Sequence, residues 1–364
     1  MSFAPAPPYS HGSTERSAVL LVNLGTPDAP TATALRRYLA QFLWDPRVVE
    51  IPRPLWWLIL NGVILRTRPA KSAAKYQTIW TKAGSPLLTW TLRQAELLES
   101  GLRARGHHQL IVRAAMRYGS PSIASTLDAL ATEGVTRLLV LPLYPQYAAA
   151  TTASSIDAVT DWARQHRRVP ELRFINRYHD EPAYIAALAQ SVQTHWARHG
   201  RGQKLVMSFH GVPARSLALG DPYHCECHKT ARLLAEALAL GHGDYLVTFQ
   251  SRLGRAQWLE PYTEPSVIRL AAEGIKHLDA ICPGFAADNL ETLEEIGIEA
   301  RDAFLAAGGA QFNIVPCLND APDWIAALGD LSERHLQGWP TRVVPDAPAL
   351  AAQRQRALAL GATD

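Results

Sequence analysis

One histidine, His210, ends an apolar run and is followed directly by a glycine, in the sequence Ser208-Phe209-His210-Gly211. A neutral imidazole at the end of a strand can bind a metal ion or accept a proton near pH 7. A histidine that only hydrogen-bonds to the backbone is the alternative that its position leaves open. The sequence therefore marks His210 as a candidate metal ligand or proton acceptor.

A second candidate site is acidic. Glu291, Glu295, Glu299 and Asp302 share one face of a predicted helix that begins at the end of a strand. Like charges at that spacing weaken an isolated helix, and such a stripe could pass a divalent cation inward. Two structural interpretations compete. Asp288 and Glu291 have the spacing of a capping box, and the stripe could be a solvated face.

A third group is the segment 224–228, His-Cys-Glu-Cys-His. His224 and His228 would share a helix face, which suits a borderline metal ion. Cys282 and Cys317 could complete four ligands, although nothing in their spacing requires it. The alternative is a helix N-terminus at which these side chains are incidental.

The sequence predicts strands that alternate with helices, and these elements would position the candidate residues. Apolar runs that indicate buried strands are Ala18–Leu24, Leu110–Met116, Arg137–Leu143, Lys204–Phe209, Tyr245–Phe249 and His277–Cys282. Helical patterns lie between them, for example at Thr89–Ala104, Ser122–Glu133 and Thr230–Leu240. This alternation predicts an α/β protein with parallel sheets covered on both faces. Ligands of such sheets bind at the carboxyl ends of the strands.

The pattern occurs twice along the chain. Val19–Pro27 resembles Leu205–Pro213, Ile111–Gly119 resembles Tyr245–Gly254, and Pro121–Pro142 resembles Pro265–Pro283. Three similar elements in the same order predict two halves of similar fold.

The sequence divides into a leader, two domains and a tail. We place the flexible leader at 1–17, the first domain at 18–165, the second domain at 166–345 and the tail at 346–364. The first domain contains an insertion at about 28–90 that the second lacks, rich in tryptophan and interrupted by prolines. Such an insertion favours a binding lip, with an extra helical pair packed on the sheet as the alternative.

Composition excludes several classes of protein. The 364 residues are 48% hydrophobic and 19% charged, a globular mixture that rules out a disordered or coiled-coil chain. The net charge of +3 is too small to indicate nucleic-acid binding. Four cysteines do not form a disulfide framework and favour an intracellular protein. Neither GxGxxG at a strand-to-helix turn nor GxxxxGK[ST] occurs, which argues against a dinucleotide or P-loop site.

The sequence predicts a cytoplasmic protein. No apolar run reaches the roughly 18–20 residues needed to span a bilayer, and the N-terminus lacks the pattern of a secretory signal. The apolar segment Ile51–Leu65 could touch the inner face of a membrane without crossing it.

Several motifs together resemble the ferrochelatase family, whose members insert ferrous iron into protoporphyrin IX to make protoheme. They are SFHGVP, GDPY, VTFQSRLGRAQWLEPYT and CPGFAADNLETLEEI in the second half, and LLVNLGTP, AGSPLL, RYGSPS and LPLYPQYAAATTASS in the first. The resemblance covers about residues 18–325. It implies two Rossmann-like domains of chelatase type with a porphyrin cleft between them.

The resemblance also implies roles for individual residues. His210 matches the family's metal-site histidine, Glu291 its partner glutamate, and Glu295 a further acidic position of the same helix. Positions that match contacts to the porphyrin are Arg68, Tyr76 and Ser85 in the lip and Arg117, Tyr118, Tyr144 and Trp258 in the cleft. Where some members have a third nitrogen ligand, this chain has Asn289, which puts that ligand in doubt.

The resemblance implies a lyase that needs no cofactor, with Fe²⁺ and protoporphyrin IX as its substrates. Animal-type members hold a [2Fe-2S] cluster in a cysteine-rich C-terminal extension. No cysteine lies beyond Cys317 here, so we expect no iron–sulfur cluster.

Two other activities stay open at this point. One is a carrier of tetrapyrroles or metals on the same scaffold, which would not need a proton acceptor. The other is insertion of iron into coproporphyrin, or of cobalt into another ring. The candidate apolar groups of the lip that would hold a ring are Trp56, Trp57 and Tyr76.

Overall fold

A computed structural model of the protein describes residues 3–252, 254 and 256–363. Within these residues the backbone forms two four-stranded parallel sheets, with strand orders β2-β1-β3-β4 and β6-β5-β7-β8. The strands are β1 Arg16–Thr26, β2 Leu110–Gly119, β3 Val135–Pro142, β4 Glu171–Phe174, β5 Lys204–His210, β6 Tyr245–Gln250, β7 His277–Ile281 and β8 Gln311–Ile314. The predicted fold class, an α/β protein with two similar halves, is confirmed.

Helices connect the strands and cover the sheets. They are α1 Ala32–Trp44, α2 Arg53–Ile59, α3 Leu65–Ile79, α4 Pro86–Ala104, α5 Ile123–Thr132, α6 Ser154–Ala163, α7 Pro182–His199, α8 Arg215–Ala218, α9 Tyr223–Ala237, α10 Thr263–Ala272, α11 Arg301–Ala306, α12 Pro322–His335 and α13 Ala347–Ala359. Leu60–Ile64, Ala149–Ala153 and Glu291–Ala300 are π-helical. None of the described helices is long and apolar enough to cross a membrane.

Strand β1 is apolar at both its odd and its even positions because both of its faces are buried. Its residues Ala18 to Val22 have no exposed surface. Leu20 and Val22 pack with α5 and α6 on one face of the sheet, and Leu21 packs with α4 on the other. Burial on both faces is typical of a parallel sheet and removes the polar–apolar alternation of a half-exposed strand.

Two strands were missing from the sequence prediction. Strands β4 and β8 have only four residues each, with the polar-containing sequences ELRF and QFNI, so neither contains an apolar run. They pair with β3 and β7 and complete the same order in both sheets. Strand β4 lies beyond residue 165, where we placed the end of the first domain, yet it belongs to the first sheet.

The structure aligns the two halves as the sequence comparison did, except for the counterpart of Pro121. The amide of Met116 in β2 donates to the carbonyl of Pro121, and that of Phe249 in β6 donates to the carbonyl of Pro261. Pro261 is therefore the counterpart of Pro121. Pro265, which we had matched to Pro121, lies inside α10.

The insertion of the first half builds a small core of its own. Its helices α1 to α3 bury an apolar cluster that includes Leu35, Tyr38, Trp56, Leu60 and Tyr76. The nitrogen of the Trp56 indole donates to the carbonyl of Leu43 at 2.6 Å. Trp56 is therefore structural, and our prediction that it holds a bound ring is wrong.

Candidate active site

A cavity of about 340 Å³ lies where the carboxyl ends of the strands of both halves meet the insertion. Its lining includes most of the site residues predicted from the sequence, namely Arg68, Tyr76, Ser85, Tyr144, His210, Trp258, Glu291 and Glu295. Both halves and the insertion therefore contribute side chains to one cleft.

His210 is the last residue of β5, and its ring has a defined hydrogen bond. Its Nδ1 lies 2.6 Å from the carbonyl oxygen of Gly211. Because a carbonyl oxygen only accepts, Nδ1 carries the proton and donates it. In the neutral ring the lone pair is therefore on Nε2, and His210 lines the cavity.

Gly211 lets a tryptophan pack beside this histidine. A Cβ at Gly211 would lie 2.8 Å from the carbonyl oxygen of Gln250 and 3.2 Å from Cε3 of Trp258. The amide of Gly211 donates to that same carbonyl of Gln250 at 2.7 Å. The glycine after His210 therefore allows the backbone of Gln250 and the indole of Trp258 to approach the chain closely at this point.

The acidic segment Glu291–Ala300 forms a π-helix, which changes which of its residues share a face. Bonding from residue i to i+5 widens the turn relative to an α-helix. Glu291 and Glu295 line the cavity, whereas Glu294 and Glu299 bind Lys75 of α3 at 3.1 and 2.7 Å. The predicted stripe is therefore split: Glu291 and Glu295 lie in the cleft, whereas Glu299, together with Glu294, which the prediction did not include, holds the insertion.

Asp302 does not continue the stripe into the cleft. It lies on α11 and forms an exposed ion pair with its neighbour Arg301 at 2.9 Å. The prediction that Asp302 shares the face of Glu291 is wrong because the helix changes from π to α between the two residues.

Burial raises the pKa of Glu291 to about 7, and the negative charge of Glu295 adds to the shift. A carboxyl group with such a pKa exchanges a proton readily near neutral pH. Glu291 can therefore act as either a carboxylate or a carboxylic acid under physiological conditions.

The helix cap is made by other residues than we predicted. The amide of Thr292 donates to Oδ1 of Asn289, and the amide of Asn289 to Oγ1 of Thr292, each at 3.0 Å. Asp288 instead accepts from Nδ2 of Asn319 at 2.7 Å. The capping-box interpretation of Asp288 and Glu291 is wrong, because a reciprocal Asn–Thr pair occupies that position.

Two residues at the end of β6 hold the glutamates and escaped the sequence prediction. The side-chain amide of Gln250 donates to the backbone carbonyl of Glu291 at 2.8 Å and to Oε2 of Glu295 at 3.2 Å. The hydroxyl of Ser251 also donates to Oε2 of Glu295. Ser251 has a φ of 66°, which is unusual for a residue with a side chain. The available signal was their place directly after a strand.

Arg117 and Tyr118 lie behind the wall of the cleft. Arg117 donates to Asp45 at 2.6 Å and to Oγ of Ser154 at 2.7 Å, and the Tyr118 hydroxyl donates to the same Asp45 oxygen at 2.7 Å. Burial opposes ionisation of Asp45, but the hydrogen bonds and the charge of Arg117 together hold its pKa below the usual range. These contacts give Arg117 and Tyr118 a structural role, and neither residue lines the cavity itself, so their contact with porphyrin stays a prediction.

Tyr38 is a cleft residue that the sequence prediction missed. It lines the cavity from α1, and its hydroxyl donates to the carbonyl of Gly25 at 3.1 Å. Burial raises the pKa of both Tyr38 and Tyr76, so both stay neutral phenols. Trp57 does not line the cavity, and 54% of its surface is exposed, so its contact with a bound ring stays a prediction.

The segment 224–228 lies on the first turns of α9, and some of its side chains are exposed whereas others are buried. Cys225 is exposed, and Cys227 is fully buried. Across the described part of the chain, no three His, Cys, Asp or Glu side chains are placed to hold one metal ion. The possible four-ligand site with Cys282 and Cys317 is therefore not formed by the described residues.

The family model and the similar sequences agree on one family. The family model named ferrochelatase matches residues 16–336. A ferrochelatase of Methylibium petroleiphilum is 65% identical over 362 residues, covering 100% of this chain and 99% of its own. One of a Polaromonas species is 63% identical over 366 residues and covers 100% of both chains. SirB from Bacillus subtilis with Fe³⁺ matches 91% of this chain and 100% of its own, with a TM-score of 0.51 and 14% identity, which shows the fold alone.

Proposed function

The chain belongs to the ferrochelatase family, lyases that insert Fe²⁺ into protoporphyrin IX during heme biosynthesis, and we propose that His210 and Glu291 carry this reaction in its cleft. Insertion exchanges two pyrrole N–H protons for one Fe²⁺. The site must therefore deliver a cation and accept two protons. The observation that carries the assignment is an imidazole whose neutral form has its lone pair on Nε2, in the same cavity as a carboxyl group with a pKa of about 7.

His210 acts at both stages of the exchange. Its Nε2 binds the incoming Fe²⁺ in one stage and accepts a pyrrole proton in another, because imidazole is both a good ligand and a base near pH 7. The hydrogen bond from Nδ1 to Gly211 supports this role by fixing the tautomer.

Glu291 and Glu295 both supply negative charge, and Glu291 also supplies an oxygen ligand. Glu291 binds the cation as a carboxylate or takes up a released proton, which its pKa of about 7 permits. Glu295, held by Ser251 and Gln250, attracts the cation along the helix. A mixed nitrogen and oxygen site does not reject Zn²⁺ or Co²⁺ on affinity alone.

The wall of the cleft binds and bends the porphyrin. A flat ring keeps its nitrogen lone pairs in its plane, so bending exposes them, and binding of the ring edges must supply that strain. Tyr76, Tyr144 and Trp258 provide apolar area, and fully burying such a side chain is worth roughly 1.5–3 kcal/mol. Arg68 suits a propionate because its forked donors can bind a carboxylate at two points.

The reaction needs no iron–sulfur cluster. Cys227 and Cys282 are buried, and across the described residues no three His, Cys, Asp or Glu side chains are placed to share one metal ion, which supports this proposal. Cys225, by contrast, is exposed at the start of α9.

The insertion also contacts the inner face of a membrane without crossing it. Leu55, Trp57, Leu58 and Val63 are each more than half exposed on α2 and the π-helical turn that follows it. An exposed apolar patch of this kind suits a peripheral contact, through which an apolar porphyrin could enter the cleft.

An anaerobic assay with purified protein tests the function. We expect absorbance changes of metal insertion when Fe²⁺ and protoporphyrin IX are added together, with coproporphyrin as the comparison substrate. His210→Ala should abolish insertion while porphyrin binding persists, and His242→Ala, an exposed loop histidine, is the matched control. Porphyrin binding without turnover by the wild-type protein would identify a carrier instead.

A further inference from the structure

Two histidines on α9 face one another across one helical turn. The ring centroids of His224 and His228 lie 4.4 Å apart, with the ring planes inclined by 51°. Both rings rest against Phe249 of β6, with centroid separations of 5.8 and 6.1 Å. The contact with Phe249 limits the rotation of both imidazoles on the side that faces the protein.

Neither imidazole is used in a polar contact within residues 3–252, 254 and 256–363. His224 is half-buried and His228 is exposed, so solvent reaches the pair. The charged neighbours point elsewhere, because Glu226 binds Arg177 at 2.7 Å and Lys229 pairs with Asp180. Burial and the nearby His224 lower the pKa of His228, which favours the neutral ring that metals bind.

The spacing of the rings matches two ligands of one ion. An imidazole nitrogen lies about 2.1 Å from a bound metal, so two rings at adjacent coordination positions have centroids roughly 4.5 Å apart. Adjacent positions at a right angle are typical of octahedral and square-planar ions, and imidazole suits Ni²⁺, Cu²⁺ and Fe²⁺. Since no third His, Cys, Asp or Glu of the described residues joins the pair, water must complete the coordination.

We propose that His224 and His228 form a second metal site, for a borderline divalent cation such as Ni²⁺ or Cu²⁺, on the surface of α9. The site is distinct from the cleft. The lining of the cleft includes His210 and also Tyr223, the residue before His224, but neither His224 nor His228. Its occupancy does not depend on the role of His210 in metal insertion.

Titration calorimetry with Ni²⁺, on the full chain without porphyrin, tests the site. We expect a binding event that His224→Gln and His228→Gln each weaken about tenfold or more, because either change removes one of two protein ligands. The same event should persist in His210→Ala, which separates it from any ion in the cleft. Far-UV circular dichroism shows whether the variants keep the overall helix content of the wild type.

Two further variants serve as controls. His199→Gln changes a matched pair on α7, whose rings lie 4.6 Å apart but whose His195 is buried, and it should leave the event unchanged. Cys225→Ser should also leave it unchanged. The proposal is overturned if both α9 histidine variants bind Ni²⁺ like the wild type, if Cys225→Ser removes the event, or if only His210→Ala does.

Discussion

The side-chain nitrogen of Gln250 lies 2.8 Å from the backbone oxygen of Glu291, and this hydrogen bond joins the end of β6 to the first turn of the acidic π-helix. The other end of the amide, Oε1 of Gln250, accepts from the hydroxyl of Ser208 in β5 at 2.8 Å. A chain of hydrogen bonds therefore runs from the strand that carries His210 to the helix that carries Glu291. Gln250 sets the relative position of the two proposed catalytic residues.

Replacing this residue should affect turnover and stability together. Gln250→Leu removes the side-chain donor to the carbonyl of Glu291 and one of the two partners of the Ser208 hydroxyl, which keeps Thr263 at 2.8 Å. A buried group left unpaired costs about 1–3 kcal/mol. We expect a comparable loss in the free energy of unfolding, measured with denaturant. We also expect kcat for iron insertion to fall more than KM for porphyrin rises, because the porphyrin wall is untouched. Gln353→Leu on the exposed helix α13 is the control, and an equal effect there would remove Gln250 from this role.

Glu291→Gln should abolish turnover yet stabilise the folded protein at high pH. The pKa of Glu291 is raised by burial, and by Glu295 and Glu294, from 4.5 to about 7. Between these values the native state holds a proton that the unfolded state has lost, so this group's contribution to stability falls as pH rises and stays low above pH 7. The gain from Gln should thus be absent near pH 4 and reach about 3 kcal/mol above pH 7.

Denaturant unfolding of both proteins across this pH range measures the difference. A stability difference that does not change with pH would show that the carboxyl group titrates normally. Retained insertion activity in the variant would contradict the catalytic assignment.

The sequence predicted the sheets and the central pair of the site because both follow from local patterns. Long apolar runs identified β1 and β5, and the end of β5 placed His210. The short strand β4 and the positioning residue Gln250 were missed, since their roles depend on pairing with distant segments. The split of the glutamates between the cleft and Lys75 also depends on the π-helical turn, which no spacing rule for α-helices anticipates.

Arg68 and Arg117 should separate porphyrin binding from stability. Arg68 is exposed and lines the cavity, so Arg68→Leu should raise the KM for porphyrin several-fold with little change in unfolding. Arg117 binds Asp45 and Ser154 behind the wall, so Arg117→Leu should destabilise the fold, with each lost charged hydrogen bond worth about 1.5–3 kcal/mol. Steady-state kinetics and denaturant unfolding of both variants check this contrast. A larger KM effect from Arg117→Leu would return that residue to the porphyrin site.

The last prediction concerns the cysteines. Protein purified without oxygen after growth with ample iron should show no absorbance between about 400 and 600 nm beyond that of bound porphyrin, because thiolate-ligated iron–sulfur centres absorb there. The physical reason is that the cysteines do not converge: Cys225 is exposed on α9, Cys227 and Cys282 are buried, and no three His, Cys, Asp or Glu side chains of the described residues are placed to share one metal ion. Cys225→Ser and Cys227→Ser should accordingly keep iron insertion at the wild-type rate if they fold. Acid-labile sulfide in stoichiometric amount, lost in either variant, would establish a cluster and reassign the start of α9 as its ligand segment.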